Sequence, residues 1–357
     1  MRPTCAEIDL AAIRHNVAAF RELIGPSAVC TVVKADGYGH GDVPVANAAV
    51  EAGATYLAVA LVEEGIRLRE AGIDAPVLLL SEPTPEAAQD VARWELDSTV
   101  YSSTFLDALD RTGARLPVHV KVDTGMHRVG AAPDRAAQLV QRIENSRNLS
   151  FASLWTHFAV ADEDPDFTNR QIERFNEIAE RLDPPMTHLA NTAGAVLHPE
   201  ARGDLCRIGL GTYGLHPCAS TRDVIDLHPA MRVVTHVAHV QRLDAGERPS
   251  YGRVRPLPRA ATVVTAPIGY ADGFPRSLTK SGSALIGGKR FPMAGTVTMD
   301  QIVIDVGDED IDVGEEVVLL GMQGNEEITA DDWADTLGTI SYEVVCSIGP
   351  RVSRRYV

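Results

Sequence analysis

Lysine is scarce in this chain of 357 residues: Lys34, Lys121, Lys280 and Lys289 are its only lysines among 33 basic residues. Arginine carries the rest of the basic charge, so a lysine beside an apolar run needs a reason. Lys34 ends such a run in VVKADGYGHG, and a glycine-broken turn with Tyr38 and His40 follows. An amine placed there could form a Schiff base with a carbonyl compound. Lys121 opens KVDTGMHR, which carries Asp123, Thr124, Gly125 and Arg128. His157 follows SFASLW, Asn191 and Thr192 follow MTHLA, and Arg207 precedes Gly209, Leu210 and Gly211 in RIGLGTYG. These are the residue types of an electrophilic, anion-binding site. Each has a plainer reading too. A lysine closing a strand is usually a solvated cap, and a lone histidine is usually a hydrogen-bonded structural one. KVDTGMHR alone could be an Asp-initiated turn with Arg128 on the surface. RIGLGTYG could be a loosened turn, or a place where backbone N–H groups approach a phosphate.

The elements that would position these residues are short and apolar. Strands are expected at 28–33, 56–60, 76–80, 98–101, 117–122, 150–155, 186–190 and 204–208. They lack clean alternation, as strands covered on both faces do. Segments of helical period lie between them, such as DVPVANAAVEAG ending on Gly53 and VEEGIRLREAG ending on Gly72. Eight strands alternating with helices point to an N-terminal (β/α)₈ TIM barrel rather than a doubly wound sheet. Chemistry on a barrel gathers at the C-terminal ends of its strands. Lys34, Asp123 to Arg128, His157, Asn191, Thr192 and Arg207 all fall at such ends. After about residue 227 the pattern becomes β-rich, with RVVTHVAHVQRL, ATVVTAP, QIVIDV and EVVLL separated by turns. A mainly antiparallel β domain is expected there. ITADDWADTLG is its one helical stretch, with Thr329 as N-cap.

Bulk composition narrows the function. A formal net charge of −16 disfavours nucleic acid as a partner. No apolar run approaches the ~18 residues of a membrane helix, and MRPTCAEIDL lacks a signal-peptide core. The five cysteines, Cys5, Cys30, Cys206, Cys218 and Cys346, show no two-residue spacing, and no metal ligand set is expected. A reduced, cytoplasmic protein follows as the expectation.

A lysine in a barrel mouth beside a phosphate cradle fits two chemistries: an aldolase for a sugar phosphate, or a pyridoxal-phosphate enzyme. Composition and spacing leave both open. The motifs themselves, VVKADGYGHG, KVDTGMHRVG, THFAVADE, ANTAG, RIGLGTYGL, PIGYADGF, GTVTMDQ and TISYEV, resemble the alanine racemase family in the same order from end to end. That resemblance implies a pyridoxal 5'-phosphate barrel over 12–226. It also implies a β domain formed by 1–11 and 227–357, and a homodimer with shared active sites. It implies interconversion of L- and D-alanine, supplying D-alanine for cell-wall peptidoglycan, with a racemase for serine or lysine as the alternative.

The resemblance also assigns roles. Lys34 is the cofactor lysine and the base on one face of the substrate; Tyr270, in PIGYADGF, is the acid/base on the other, from the partner subunit. Inversion at a carbon needs bases on opposite faces. Arg207 faces the cofactor's ring nitrogen. Tyr38, Asn191, Thr192, Gly209 and Leu210 are expected around the cofactor and its phosphate, and His157 packs on its ring. Arg128 and Met299 are expected to bind the substrate carboxylate, and Lys121 matches a position often carbamylated in the family. One departure stands out: Pro350, in CSIGPRVSR, occupies a position where many members place a phosphate-contacting tyrosine. A decarboxylase of related architecture is disfavoured, because it would need an acid where Arg207 stands. A non-catalytic pyridoxal-phosphate binder would lack both the β domain and the PIGYADG tyrosine.

Overall fold

The computed structural model describes residues 2–357. The chain separates into two compact units. The larger comprises Ala11–Gly37 and Gly41–His228; the smaller comprises the segment through Leu10, Tyr38–His40 and Pro229–Val357.

The larger unit contains eight parallel strands: β2 (Ala28–Val32), β3 (Tyr56–Val59), β4 (Val77–Leu79), β5 (Asp97–Val100), β6 (Leu116–Lys121), β7 (Leu149–Trp155), β8 (Thr187–His188) and β9 (Leu205–Ile208). Their hydrogen-bonded order is β8-β7-β6-β5-β4-β3-β2-β9. The ring closes through single bonds rather than a ladder: Asp204 and Arg207 N–H donate to Thr187 and Ala190 carbonyls at 2.9 and 3.0 Å. This is the expected (β/α)₈ barrel, with every expected strand present. The seventh, β8, is shorter than MTHLA suggested, because only two of its residues keep a ladder with β7. Helices between the strands bury apolar stripes: α1 (Leu10–Ile24) sets Val17, Phe20 and Ile24 against Val29, Cys206 and Ile208. At about 25 cal/mol per Å² of apolar area, such stripes supply most of the drive to close the barrel.

In the smaller unit, β1 (Cys5–Ile8) pairs antiparallel with β10 (Met231–His236) and parallel with β18 (Ser353–Tyr356). The sheet continues through β16 (Glu316–Gln323), which also pairs with β17 (Glu326–Ile328), and β13 (Ser283–Ile286) to β14 (Lys289–Pro292). A second sheet runs β11 (His239–Leu243), β12 (Ala261–Ala266), β15 (Ile302–Gly307). The stretch RVVTHVAHVQRL is therefore two strands in different sheets. Thr329 caps the helix Ala330–Leu337 with a reciprocal pair, Asp332 N–H to Thr329 Oγ1 and Thr329 N–H to Asp332 Oδ2, both 2.9 Å. A second short helix, Ser341–Cys346, was not expected from periodicity; six residues are too few to show it. Among the described residues no helix is long and apolar enough to cross a membrane.

Candidate active site

Lys34 does not continue the strand: the β2 ladder ends at Val32. Ala35, Asp36, Gly37 and Tyr38 then all take positive φ, at 54°, 53°, 58° and 51°. A left-handed turn costs roughly 1–2 kcal/mol per non-glycine residue, so something must hold it. Ala35 N–H donates to Glu64 Oε1 at 2.7 Å, Gly37 N–H to Val33 O at 2.9 Å and Gly41 N–H to Asp36 O at 2.8 Å. The buried Glu64 carboxylate also takes Ala60 and Leu61 N–H through Oε2, at 2.8 and 3.1 Å. One acid thus ties the residue after Lys34 to the end of β3.

Lys34, Arg128 and Arg207 all act electrostatically on Lys121, and all four act on His157. Lys121, 4% exposed, has its amine 4.1 Å above the Trp155 ring. Burial, then Arg207, Arg128 and Lys34, push its amine down to about 7, against a smaller opposing pull from Asp123. Burial lowers Arg207 to about 10, which still leaves it charged at neutral pH. His157 is held well below the ordinary imidazole range by burial, then by the Arg207, Lys121, Arg128 and Lys34 charges, so it is neutral. A cluster of cations with one nearby carboxylate is built to receive anions.

The Arg207 guanidinium orders the groups behind it. NH1 donates to His188 O and Nδ1, both 2.9 Å; NH2 donates to Thr156 O, Leu189 O and His157 Nδ1 at 2.7, 2.8 and 3.1 Å. Arginine has no acceptor, so both imidazoles must present a bare Nδ1 and carry their proton on Nε2. The consequence runs on through the barrel. His188 Nε2–H donates to Ser153 Oγ at 2.9 Å. That hydroxyl then donates to His119 Nδ1 at 2.7 Å, and His119 Nε2–H faces Asp97 Oδ2 at 3.4 Å. His119, Ser153 and His188 are fully buried and Asp97 nearly so. Five consecutive strands, β5 to β9, each contribute one member of this oriented chain. Arg207 Nε–H has no acceptor among the described residues, which leaves it available to a ligand acceptor.

Buried Gln171, on the helix Pro165–Leu182, joins two loops at the strand ends. Its amide donates to Thr124 Oγ1 (3.0 Å) and His157 O (3.2 Å) and accepts from Ala159 N–H at 2.9 Å. It therefore fixes the loop of Arg128 against that of His157. Asn191 caps the short helix Thr192–Leu197, accepting from Gly194 N–H at 2.9 Å. Thr192 Oγ1 accepts from Gly209 N–H at 3.1 Å and Gly211 N–H at 3.4 Å. A Cβ on Gly211 would collide with the Phe20 ring, so the close approach there requires glycine. The Leu210 N–H has no acceptor among the described residues. Cations, a free guanidinium N–H and this loop fit a phosphorylated heteroaromatic cofactor whose ring nitrogen accepts a hydrogen bond.

Tyr38, Tyr270 and Met299 belong to the smaller unit. Tyr270 N–H donates to Thr298 O (3.0 Å) and Ala271 N–H to Met299 O (3.1 Å), which places Tyr270 beside Met299; both side chains are exposed. The turn is pinned by Asp272, fully buried, whose carboxylate takes two bonds from Arg2 (2.6 Å each) and one from Gly269 N–H (2.9 Å). Burial alone would raise the Asp272 carboxyl, but Arg2 and Gly269 hold it below the usual range. Burial raises the Tyr38 phenol, helped by Tyr342 and Cys346; the Tyr342 ring centroid lies 6.1 Å from its own. Tyrosine beside Tyr38 therefore comes from Tyr342, while Pro350 sits in the turn before β18.

Sequence reasoning did not single out Glu64, Gln171, Asp272 or the chain from His188 to Asp97. A partial signal existed: His119 and Lys121, like Ser153, Trp155 and His157, lie two residues apart, so polar groups recur on one face of otherwise apolar strands.

A family model described as the N-terminal domain of alanine racemase matches residues 8–217, and one described as its C-terminal domain matches 230–356. An alanine racemase of Symbiobacterium thermophilum is 43% identical over 367 residues, covering 100% of this chain and 97% of the relative. One from a Nostoc species is 42% identical, covering 98% and 94%. The crystal structure of the E. faecalis alanine racemase superposes with a TM-score of 0.95 at 39% identity, covering 100% and 98% of the two chains. The structure from a D-cycloserine-producing Streptomyces lavendulae gives 0.93 at 35%, covering 100% and 97%.

Proposed function

The chain belongs to the alanine racemase family, and from that premise we infer that it interconverts L- and D-alanine with pyridoxal 5'-phosphate as its cofactor. The observation that carries this reading is the end-to-end match to alanine racemases across both domains. The setting is a cytoplasmic homodimer that supplies D-alanine for peptidoglycan.

The cofactor, when bound, supplies an aldehyde for the amine and an electron-withdrawing ring for the charge left when Cα loses its proton. Lys34 anchors it and, once released, takes or gives the Cα proton on one face through Nζ. Tyr270 from a second copy of this chain does the same on the other face through its hydroxyl. Arg207 Nε–H would donate to the ring nitrogen. A guanidinium has no acceptor for a pyridinium N–H and carries a like charge, so Arg207 would keep that nitrogen unprotonated and the electron sink weak. This favours returning the proton to Cα over misplacing it. Tyr38, Thr192, Gly209 and Leu210 hold the phosphate, with Asn191 fixing the helix that carries Thr192. His157, kept neutral, packs on the ring. Arg128 and the Met299 backbone hold the substrate carboxylate.

Lys121 has a further part. An amine pushed down to about 7 is substantially neutral at physiological pH. Its lone pair can attack the carbon of CO₂, releasing one proton and leaving a carbamate anion. Near Arg128, that places an attractive anion where the ammonium form would repel. Native intact mass in bicarbonate should show the mass of one CO₂ added, and Lys121→Ala should not. An unmodified wild-type mass would refute the carbamate.

The function itself is tested with purified protein in ²H₂O. Wild type should racemise alanine faster than serine or lysine and incorporate deuterium from both enantiomers. Tyr270→Phe should lose exchange from one enantiomer only. Unaltered racemisation by that variant would remove Tyr270 from the mechanism.

A further inference from the structure

We infer that His15, Asp226 and His228 form a binding site for a transition-metal dication of the zinc class. These residues share nothing with the site above. His15 lies on α1; Asp226 and His228 lie on the segment that ends the larger unit. Both imidazole Nε2 atoms face the same carboxylate oxygen, Asp226 Oδ2, at 3.5 Å from His15 and 3.2 Å from His228. All three ligand atoms lie within 4.8 Å of one another. Among the described residues this is the one group of three or more histidines, cysteines or acids so placed.

The spacing matches a metal polyhedron. A tetrahedral zinc with bonds of about 2.0–2.1 Å separates its ligand atoms by roughly 3.3–3.4 Å. The two nitrogen-to-oxygen edges, 3.5 and 3.2 Å, lie on either side of that length. The rings are stacked at 3.8 Å and 4°, so they must splay for both lone pairs to converge on one ion. Side chains 39% and 53% exposed have room to do so, and the open side admits a water as fourth ligand.

The group is also held in place. Asn16, next to His15 and fully buried, donates to His228 O at 2.9 Å and accepts from His228 N–H at 2.8 Å. This two-bond clasp fixes the backbone of one ligand against the helix of the other before any metal arrives, which lowers the ordering cost of binding. Two imidazoles and one carboxylate suit zinc, cobalt, nickel or copper rather than magnesium or calcium, which prefer all-oxygen sets. A bound ion would staple α1 to the end of the larger unit and stabilise it by mass action.

The test uses the full-length holoenzyme, stripped with a chelator, dialysed and titrated with Zn²⁺ against a chromophoric competitor. One Zn²⁺ per chain and a higher thermal midpoint are expected. Losing a supporting partner alone typically costs about 10–100-fold in metal affinity; His15→Ala and His228→Gln each remove a ligand and should cost at least as much. Their racemase rates should stay unchanged, which checks folding. Co²⁺ provides a second readout: a tetrahedral visible spectrum in wild type, absent in Asp226→Asn. Wild type binding Zn²⁺ no more tightly than the variants would overturn the site, as would binding that survives in the variants and vanishes on cysteine blocking.

Discussion

Lys34→Ala is expected to abolish racemisation, by on the order of 10⁴-fold or more, because in the proposed mechanism one residue both anchors the cofactor and moves the proton. The variant should still fold. The turn after Lys34 is held by backbone and carboxylate bonds, Ala35 to Glu64 and Gly37 to Val33, none of which uses the lysine side chain. The proposed phosphate cradle around Thr192 and Leu210 is likewise untouched. The variant should therefore bind pyridoxal phosphate reversibly, so that dialysis removes the colour that wild type retains. Borohydride followed by peptide mapping should mark Lys34 in wild type and nothing in the variant. A small amine added to the buffer should restore part of the rate, whereas Lys34→Arg should stay inactive, since guanidinium cannot serve as the nucleophile. Racemisation surviving in Lys34→Ala would end the assignment.

Arg207→Glu carries the second large effect, on rate and on product. The buried carboxylate would accept where Arg207 donates, so His157 and His188 would have to turn a proton toward it. The bonds running from His188 through Ser153 to His119 would lose their imposed direction. Toward the cofactor, an acid can protonate the ring nitrogen and strengthen the electron sink. Racemisation should fall by roughly 10²–10³-fold, within the range for a misplaced acid–base group, while transamination per turnover rises. Stability should fall too. Thr156 and Leu189 carbonyls each lose a donor, at about 1–3 kcal/mol for a buried acceptor left unpaired, while His188 O keeps Thr156 N–H at 3.3 Å. Arg207→Lys separates the effects: it keeps the charge but not the five-donor fork, so it should be slower and less stable without more transamination. An unchanged product ratio in Arg207→Glu would show that Arg207 does not set the ring's protonation.

The barrel was legible because a strand covered on both faces is a short apolar run between turn residues, and all eight runs had that form. Thr329 was legible because a capping pair is three residues apart in the chain. The division of the β-rich stretch RVVTHVAHVQRL was not legible: Val237 N–H donates to Glu315 O and Ala238 N–H to Thr265 O, so partners distant in the chain split it between two sheets.

Local pattern therefore determined the elements, their order and the residues at the strand ends, because periodicity and turn chemistry are properties of contiguous chain. The tertiary structure decided what those residues do to one another. Asp97, His119, Ser153, His188 and Arg207 are ordinary polar residues along the chain; parallel register between successive strands aligns them into one hydrogen-bonded series, and the guanidinium sets its direction. The depressed Lys121 amine arises the same way. Its shift comes from burial and from Arg207 and Lys34, far away in sequence, and electrostatic energy depends on separation in space rather than along the chain.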